Sequence, residues 1–267
     1  MMGFKKALLV TAVIILTLFA ASGCSRTVTR EQFLEAYQIR SGTIIEVYNQ
    51  NGTVTISGWD QNKVEIAAVK ESFRGQAALD EVEIFIDIAE KLVIQTVNPD
   101  DSAQVTVSYE IKVPEDLVIG IIECSNGNIN IDNVTGNPDI STSNGTIIVN
   151  GVNGIVSARS SNGSLTITGV KSLGNLRTSN GNIEAELFIL HDDLEIGTSN
   201  GSVSLALSTD LQADIEANTS NGTISASNLN IVAAELEQAS LVGTMNGGGN
   251  KITIKTSNGS INLVPLR

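Results

Sequence analysis

The sequence predicts an all-β chain coiled as a single-stranded β-solenoid (β-helix), with rungs of about 18–21 residues marked by Ser-Asn-Gly corners and N-terminal strands as a cap. Three observations predict it. First, Ser-Asn-Gly recurs at Asn126-Gly127, Asn144-Gly145, Asn162-Gly163, Asn180-Gly181, Asn200-Gly201, Asn221-Gly222 and Asn258-Gly259, and the first three steps between asparagines are each 18 residues. Second, alternation follows each Asn-Gly, as in Asn128-Ile129-Asn130-Ile131 and Ser164-Leu165-Thr166-Ile167. A period of two is a strand with one buried face. Third, residue identity repeats as well as polarity. The position before each Ser holds Cys124, Thr142, Ser160, Thr178, Thr198, Thr219 or Thr256. In-register stacking at roughly 4.8 Å places like over like, where hydroxyls and Asn amides form ladders. A meander of hairpins also uses Asn-Gly turns, but has no reason to reuse one small polar residue.

Taken in order, residues 1–23 read as a secretory signal. Lys5-Lys6 precede an apolar run from Ala7 to Ala20, and Ala21-Ser22-Gly23 precede Cys24. The run is short for a membrane span. A Cys after a small-residue triplet resembles the bacterial lipobox, whose Cys carries lipid and becomes the new N-terminus. Residues 24–40 are then the lipidated Cys24 and a tether. Residues 41–115 hold a first rung with the degenerate corner Asn51-Gly52, followed by longer plain strands that cap the solenoid end. Ala89-Glu90 is expected to turn a hairpin. Residues 116–267 are the Ser-Asn-Gly solenoid. Within it, Met245-Asn246-Gly247 reads as a degenerate corner, and the insert Ile231–Leu241 as a loop or short helix. Each unit adds a buried Val134, Val152 or Val170 and a second Gly/Asn corner.

Charge narrows the partners. The formal net charge is −13, and removing Lys5 and Lys6 with the signal gives −15. An acidic body argues against nucleic acid, and against electrostatic docking on anionic headgroups. With Cys24 acylated, Cys124 has no disulfide partner.

Catalytic signals are sparse. His191 is the one histidine, beside Asp192-Asp193, and no Gly-x-Ser-x-Gly elbow occurs. It reads as a solvated residue in a widened corner. Glu184, Glu186, Glu195 and Glu216 do not recur at one common offset, as a polysaccharide-cleaving face would need. Arg159 and Arg177 are 18 residues apart, so they stack on one face and form a candidate grip for a carboxylate or sulfate.

The chain resembles the putative adhesin family of envelope β-solenoid domains of unknown function. The resemblance runs over about residues 41–264. It is carried by Asn51-Gly52-Thr53-Val54-Thr55-Ile56 with Gly58-Trp59-Asp60, by Tyr109-Glu110-Ile111-Lys112-Val113-Pro114, and by the Ser-Asn-Gly rungs. It implies a non-catalytic surface protein and supplies no site residues. Where family members carry Asp after the rung's Gly, this chain has Thr146, Ser164, Asn182 or Ser202.

These readings converge on a lipid-anchored, extracytoplasmic envelope protein, not an enzyme, with no cofactor and no metal. Its structural or adhesive faces would meet an envelope glycan, a surface protein or a copy of itself. The low aromatic content of the rungs favours a protein partner. An accessory role in envelope-stress sensing is the alternative function, and a polysaccharide-cleaving β-helix ranks below it. If the corner glycines sit at positive φ, Gly163→Val costs more stability than Thr166→Val.

Overall fold

The computed structural model describes residues 27–98 and 104–266. Cys24 lies outside the described residues. The N-terminal third contains β1 (Thr29–Tyr37), β2 (Ile44–Asn51), β3 (Val54–Trp59), β4 (Val64–Ser72), α1 (Gln76–Asp80), β5 (Glu83–Ile88), β6 (Lys91–Val97) and β7 (Val105–Pro114). The first repeats follow as β8 (Val118–Asn126), β9 (Ile129–Asn144), β10 (Ile147–Asn153), β11 (Ile155–Asn162), β12 (Leu165–Thr168), β13 (Ser172–Asn180) and β14 (Ile183–Leu187). The chain continues as β15 (Leu194–Asn200), β16 (Val203–Leu207), β17 (Ala213–Asn221), β18 (Ile224–Ala226), β19 (Ile231–Leu236), β20 (Ser240–Met245), β21 (Lys251–Asn258) and β22 (Ile261–Pro265).

The strands form two walls. Strands that end at an Asn pair with one another in parallel, and strands that start after the Gly do the same. The alternation read from the sequence decides which side chains enter the core. Ile129, Ile147, Leu165, Ile183, Val203 and Ile261 stack in register, each at most 1% exposed. Burying each such side chain contributes roughly 1.5–3 kcal/mol. Val134, Val152 and Val170 fill the inside of the second corner.

Rung order differs from chain order at both ends. Asn200 of β15 pairs with Asn258 of β21, and Asn258 pairs in turn with Asn221 of β17. The final rung, β21–β22, is thus inserted between two earlier ones. At the other end, β6 and β7 flank β2 and β3 on the outside. The first and last repeats are therefore interior, where both edges find partners. Antiparallel strands close the ends: β4 on β7 and β1 on β4, β5 on β6, and β20 on β17 with β19 on β20. Leu79 of α1 is wholly buried under the first end, as Met245 is at the other.

Several expectations are corrected. Residues 24–40 were expected to be tether throughout, but Thr29–Tyr37 is a strand, because Phe33 and Tyr37 alternate onto the core. The insert at 231–241 is neither loop nor helix. It enters the β19–β20 hairpin, whose partner β17 would otherwise present a bare edge. Met245-Asn246-Gly247 is no rung corner. Asn246, Gly247 and Gly248 all have positive φ (52°, 96° and 83°), which reverses the chain so that the last rung can enter the stack. The hairpin at Ala89-Glu90 forms as expected.

The largest correction concerns the corner glycines. Positive φ occurs at the degenerate corner Gly52 and at Gly259, but at none of the other Ser-Asn-Gly corners. What excludes a side chain is stacking. A Cβ on Gly163 would stand 1.8 Å from the Gly145 carbonyl oxygen, and one on Gly181 2.2 Å from that of Gly163. Left-handed backbone lies instead at the second corner, where Asn133, Gly151 and Gly169 have φ of 52°, 70° and 61°.

The corner is knitted by two further contacts. Each Asn side-chain amide donates to the next. The chain runs Asn221→Asn258→Asn200→Asn180→Asn162→Asn144→Asn126→Asn51, at 2.7–3.0 Å. The buried hydroxyls do not bond one another. Thr142, Ser160, Thr178, Thr198, Thr256 and Thr219 each donate to the Gly carbonyl of the adjacent rung, at 2.8–3.1 Å. Gly163→Val is predicted to cost about 3 kcal/mol or more, since the clash is with rigid backbone, whereas outward-facing Thr166→Val shifts stability by about 0.5 kcal/mol or less. Denaturant melts of the two variants check this; equal costs would mean that the rungs do not approach closely at Gly163.

Candidate functional site

Two hollows, of about 520 and 530 Å³, lie on the outer face of the Asn-ending wall, and Arg159 and Arg177 line both. The two arginines stack in register, as their spacing predicted. They come from neighbouring strands at positions that alternate outward from buried Ala158 and Leu176. Stacked like charges repel, and nearby carboxylates offset this. Arg159 Nη1 donates to Asp139 Oδ1 and Oδ2 at 3.1 and 3.3 Å, and its Nη2 lies 3.7 Å from Glu123. Arg177 is less engaged: its Nη2 is 3.9 Å from Glu195, and its side chain is 76% exposed.

The same outward column contains residues that the sequence reading missed. From one end it runs Tyr48, Glu123, Ser141, Arg159, Arg177, Gly197, Lys255, Asn218. Lys255 lies three residues before Asn258, as Arg159 and Arg177 lie three before Asn162 and Asn180. That offset was available as a signal. Chain order, however, would put Asn218 beside Gly197, and only the inserted rung brings Lys255 there. Of the five basic residues between 115 and 266, three fall in this column.

The first hollow is walled by hydroxyls. Ser125, Ser143, Ser161 and Ser179 form an exposed column beside the asparagines. Tyr48 borders it, donating to Glu46 at 3.1 Å; burial, then this bond, raises its pKa. The second hollow contains Gly197, Lys255, Asp139 and Glu195. Glu195 and Glu216 flank Thr253 in one register column, so these two do share an offset. Glu184 and Glu186 are on the other wall, in β14. No carboxylate set converges on Glu195 and Glu216 together with Glu184 and Glu186.

Cys124 takes the hydroxyl position of its rung. Its Sγ is 3.3 Å from the Gly52 carbonyl and the residue is 3% exposed. His191 is exposed in the connection before β15, where its carbonyl accepts from Asn250 at 2.7 Å. Among the described residues, no group of three or more His, Cys, Asp or Glu is placed to hold a metal ion. No helix among them is long and apolar enough to cross a membrane.

Trp59, in the motif that carried the family resemblance, is structural. Its indole N–H donates to the Lys63 carbonyl at 2.8 Å, and the Lys63 and Lys112 ammonium groups lie 5.3 and 5.6 Å from its ring. The preceding Gly58 is required because a Cβ there would meet the Asn133 carbonyl oxygen at 1.9 Å.

Two walls of parallel rungs, laced at Asn-Gly corners and closed by antiparallel caps, define a β-solenoid domain. The chain belongs to the Toastrack DUF4097 family, whose model matches residues 35–264. It is similar to a crystal structure of a putative adhesin from Bacteroides fragilis NCTC 9343, at TM-score 0.43 and 8% identity, covering 88% of this chain and 97% of that one. A putative lipid binding protein from Parabacteroides distasonis ATCC 8503 aligns at TM-score 0.41 and 15% identity, covering 87% and 96%. A putative cell adhesion protein from Clostridium sporogenes ATCC 15579 aligns at 0.37 and 13%, covering 89% and 100%. No curated protein matches the chain.

Burial pushes the Cys124 thiol up to about 11, partly opposed by a backbone hydrogen bond. The folded protein is therefore predicted to resist iodoacetamide at about pH 8, near an ordinary thiol's pKa, and to react at Cys124 once denatured. The unfolded thiol ionises first, so the contribution to stability is full below its ordinary pKa and is lost as pH rises towards 11. Cys124→Thr removes that slope; labelling of the folded protein at the denatured rate would contradict the burial.

Proposed function

We propose that this chain is a lipid-anchored protein of the cell envelope whose solenoid has a non-catalytic, adhesive or structural role. The N-terminal pattern supports the anchor: a basic start, a short apolar run and small residues before Cys24. Only residues 25–28 separate that Cys from β1, so the anchored end of the rod is held near the bilayer. The acidic body disfavours contact with anionic lipid.

The observation that carries a binding role is the outer face of the Asn-ending wall. Its cations, carboxylates and hydroxyls come in register columns along two hollows. A surface that repeats its donors at strand spacing suits an extended partner, whether an envelope glycan, a surface protein or a second rod.

The test is retention of the full chain, purified in detergent, on isolated envelope material, with a glycan-only fraction in parallel. Retention on the glycan fraction is the expected outcome for wall adhesion. Retention only where proteins remain would mean a protein partner. No retention on either would overturn the binding role and leave a spacer.

A further inference from the structure

We propose that Gly197 is the floor of an oxyanion notch, with Arg177 and Lys255 as its sides, which takes the carboxylate or sulfate groups of an acidic glycan. This rests on the binding role proposed for the same wall and names its ligand class.

Gly197 is a glycine that the fold does not need. Every other described glycine either has positive φ or would bring a Cβ under 3.0 Å from a neighbour. Gly197 has neither feature. Its φ is ordinary, and a Cβ would meet only the Lys255 carbonyl oxygen, at 3.6 Å, which is normal contact. It lies in the middle of strand β15, where glycine costs roughly 0.5–1 kcal/mol against a residue with a side chain. Neither backbone nor packing accounts for it.

What its missing side chain creates is space between two cations. Arg177 and Lys255 are the register neighbours of Gly197 on either side. They are two strand steps apart, about 9–10 Å at the backbone. The hollow between them has a volume of about 530 Å³. Neither cation is strongly held by the protein. Among the described residues, Arg177 has only the 3.9 Å ion pair with Glu195, while Lys255 feels Glu216 at longer range. By contrast, Arg159 is engaged twice by Asp139. Two exposed cations on either side of a residue without a side chain are a local exception to the acidic body, and they suit an anion that enters between them and accepts from both.

The remaining lining selects the kind of anion. Asp139 and Glu195 border the hollow as acceptors. An acidic peptide would bring carboxylates against them and offer few donors. An acidic sugar brings an oxyanion for the cations and hydroxyl donors for the carboxylates. The exposed serine column beside the notch, Ser179, Ser199 and Ser257, offers further hydrogen bonds along a linear chain. Recognition of this type needs no aromatic platform.

Calorimetric titration of the full chain in detergent at low salt tests the assignment, with polygalacturonate, dextran sulfate and neutral dextran as probes. Binding is expected to polygalacturonate, to dextran sulfate or to both, and not to dextran; the first two arms separate carboxylate from sulfate. Gly197→Val is expected to melt with the wild type, since valine suits a strand and has room. It should nevertheless weaken binding about tenfold or more by filling the notch. Arg177→Gln with Lys255→Gln should do the same, while Lys171→Gln, at the second corner, should leave binding unchanged. If Gly197→Val proves unstable, Gly197→Ser and the double Gln variant carry the test. Binding that is equal in all variants, or absent in the wild type, overturns the notch. Envelope retention that survives in Gly197→Val would overturn it while leaving the broader binding role intact.

Discussion

The close approach of one Gly to the carbonyl of the Gly in the next rung is the constraint on which the rest of the structure depends. A Cβ would stand within 1.8–2.2 Å of that oxygen at seven successive corners, from Gly127 to Gly222 in stack order. Only glycine lets the rungs close to strand spacing there, and the other corner contacts require that closure. The Asn amides reach one another, and the hydroxyls of Thr142 to Thr256 reach the glycine carbonyls, because the backbones are already close. The Asn ladder is solvent-exposed, so each of its bonds adds little net stability. The buried hydroxyls count for more, because losing one strips a donor from a carbonyl shielded from water, at about 1–3 kcal/mol.

The same stacking turns sequence offsets into surface columns. A residue three before the Asn faces outward on one wall, whatever rung it belongs to. Function on such a scaffold is written by which rungs are neighbours. Inserting β21–β22 between β15–β16 and β17–β18 changes the neighbour of Gly197 from Asn218 to Lys255. It also leaves the last repeat flanked on two sides and puts β17, covered by the antiparallel β20, at that end. One topological choice thus protects the edges of the last repeat and assembles the cationic column.

Much of the architecture was legible because its physics is local. Strand alternation, the period of 18 and the repeated Thr before Ser report burial and register directly, and the stacking of Arg159 on Arg177 followed from spacing alone. The reason for the glycines was misread, since a steric contact with another rung leaves no mark that distinguishes it from a positive-φ turn. Rung order was illegible for the same reason. Nothing within residues 251–265 says that they enter between earlier rungs; the nearest hint is the Asn246-Gly247-Gly248 reversal, which in sequence reads as a degenerate corner. The preference for a protein partner came from scarce aromatics. The cation pair and carboxylates of one hollow, on which the glycan proposal rests, come together only once Lys255 is placed.

The account turns most on that rung order, and engineered cysteines can read it directly. With Cys124 replaced by Thr, Gly197→Cys is paired either with Lys255→Cys or with Asn218→Cys, and each pair is oxidised in the folded protein. Adjacent strands bring Cα atoms within disulfide range, whereas a separation of two strand steps, about 9–10 Å, exceeds it. The account predicts a disulfide between 197 and 255 and none between 197 and 218. The reverse outcome would mean that the rungs stack in chain order, and would remove the inserted final repeat and the notch that depends on it.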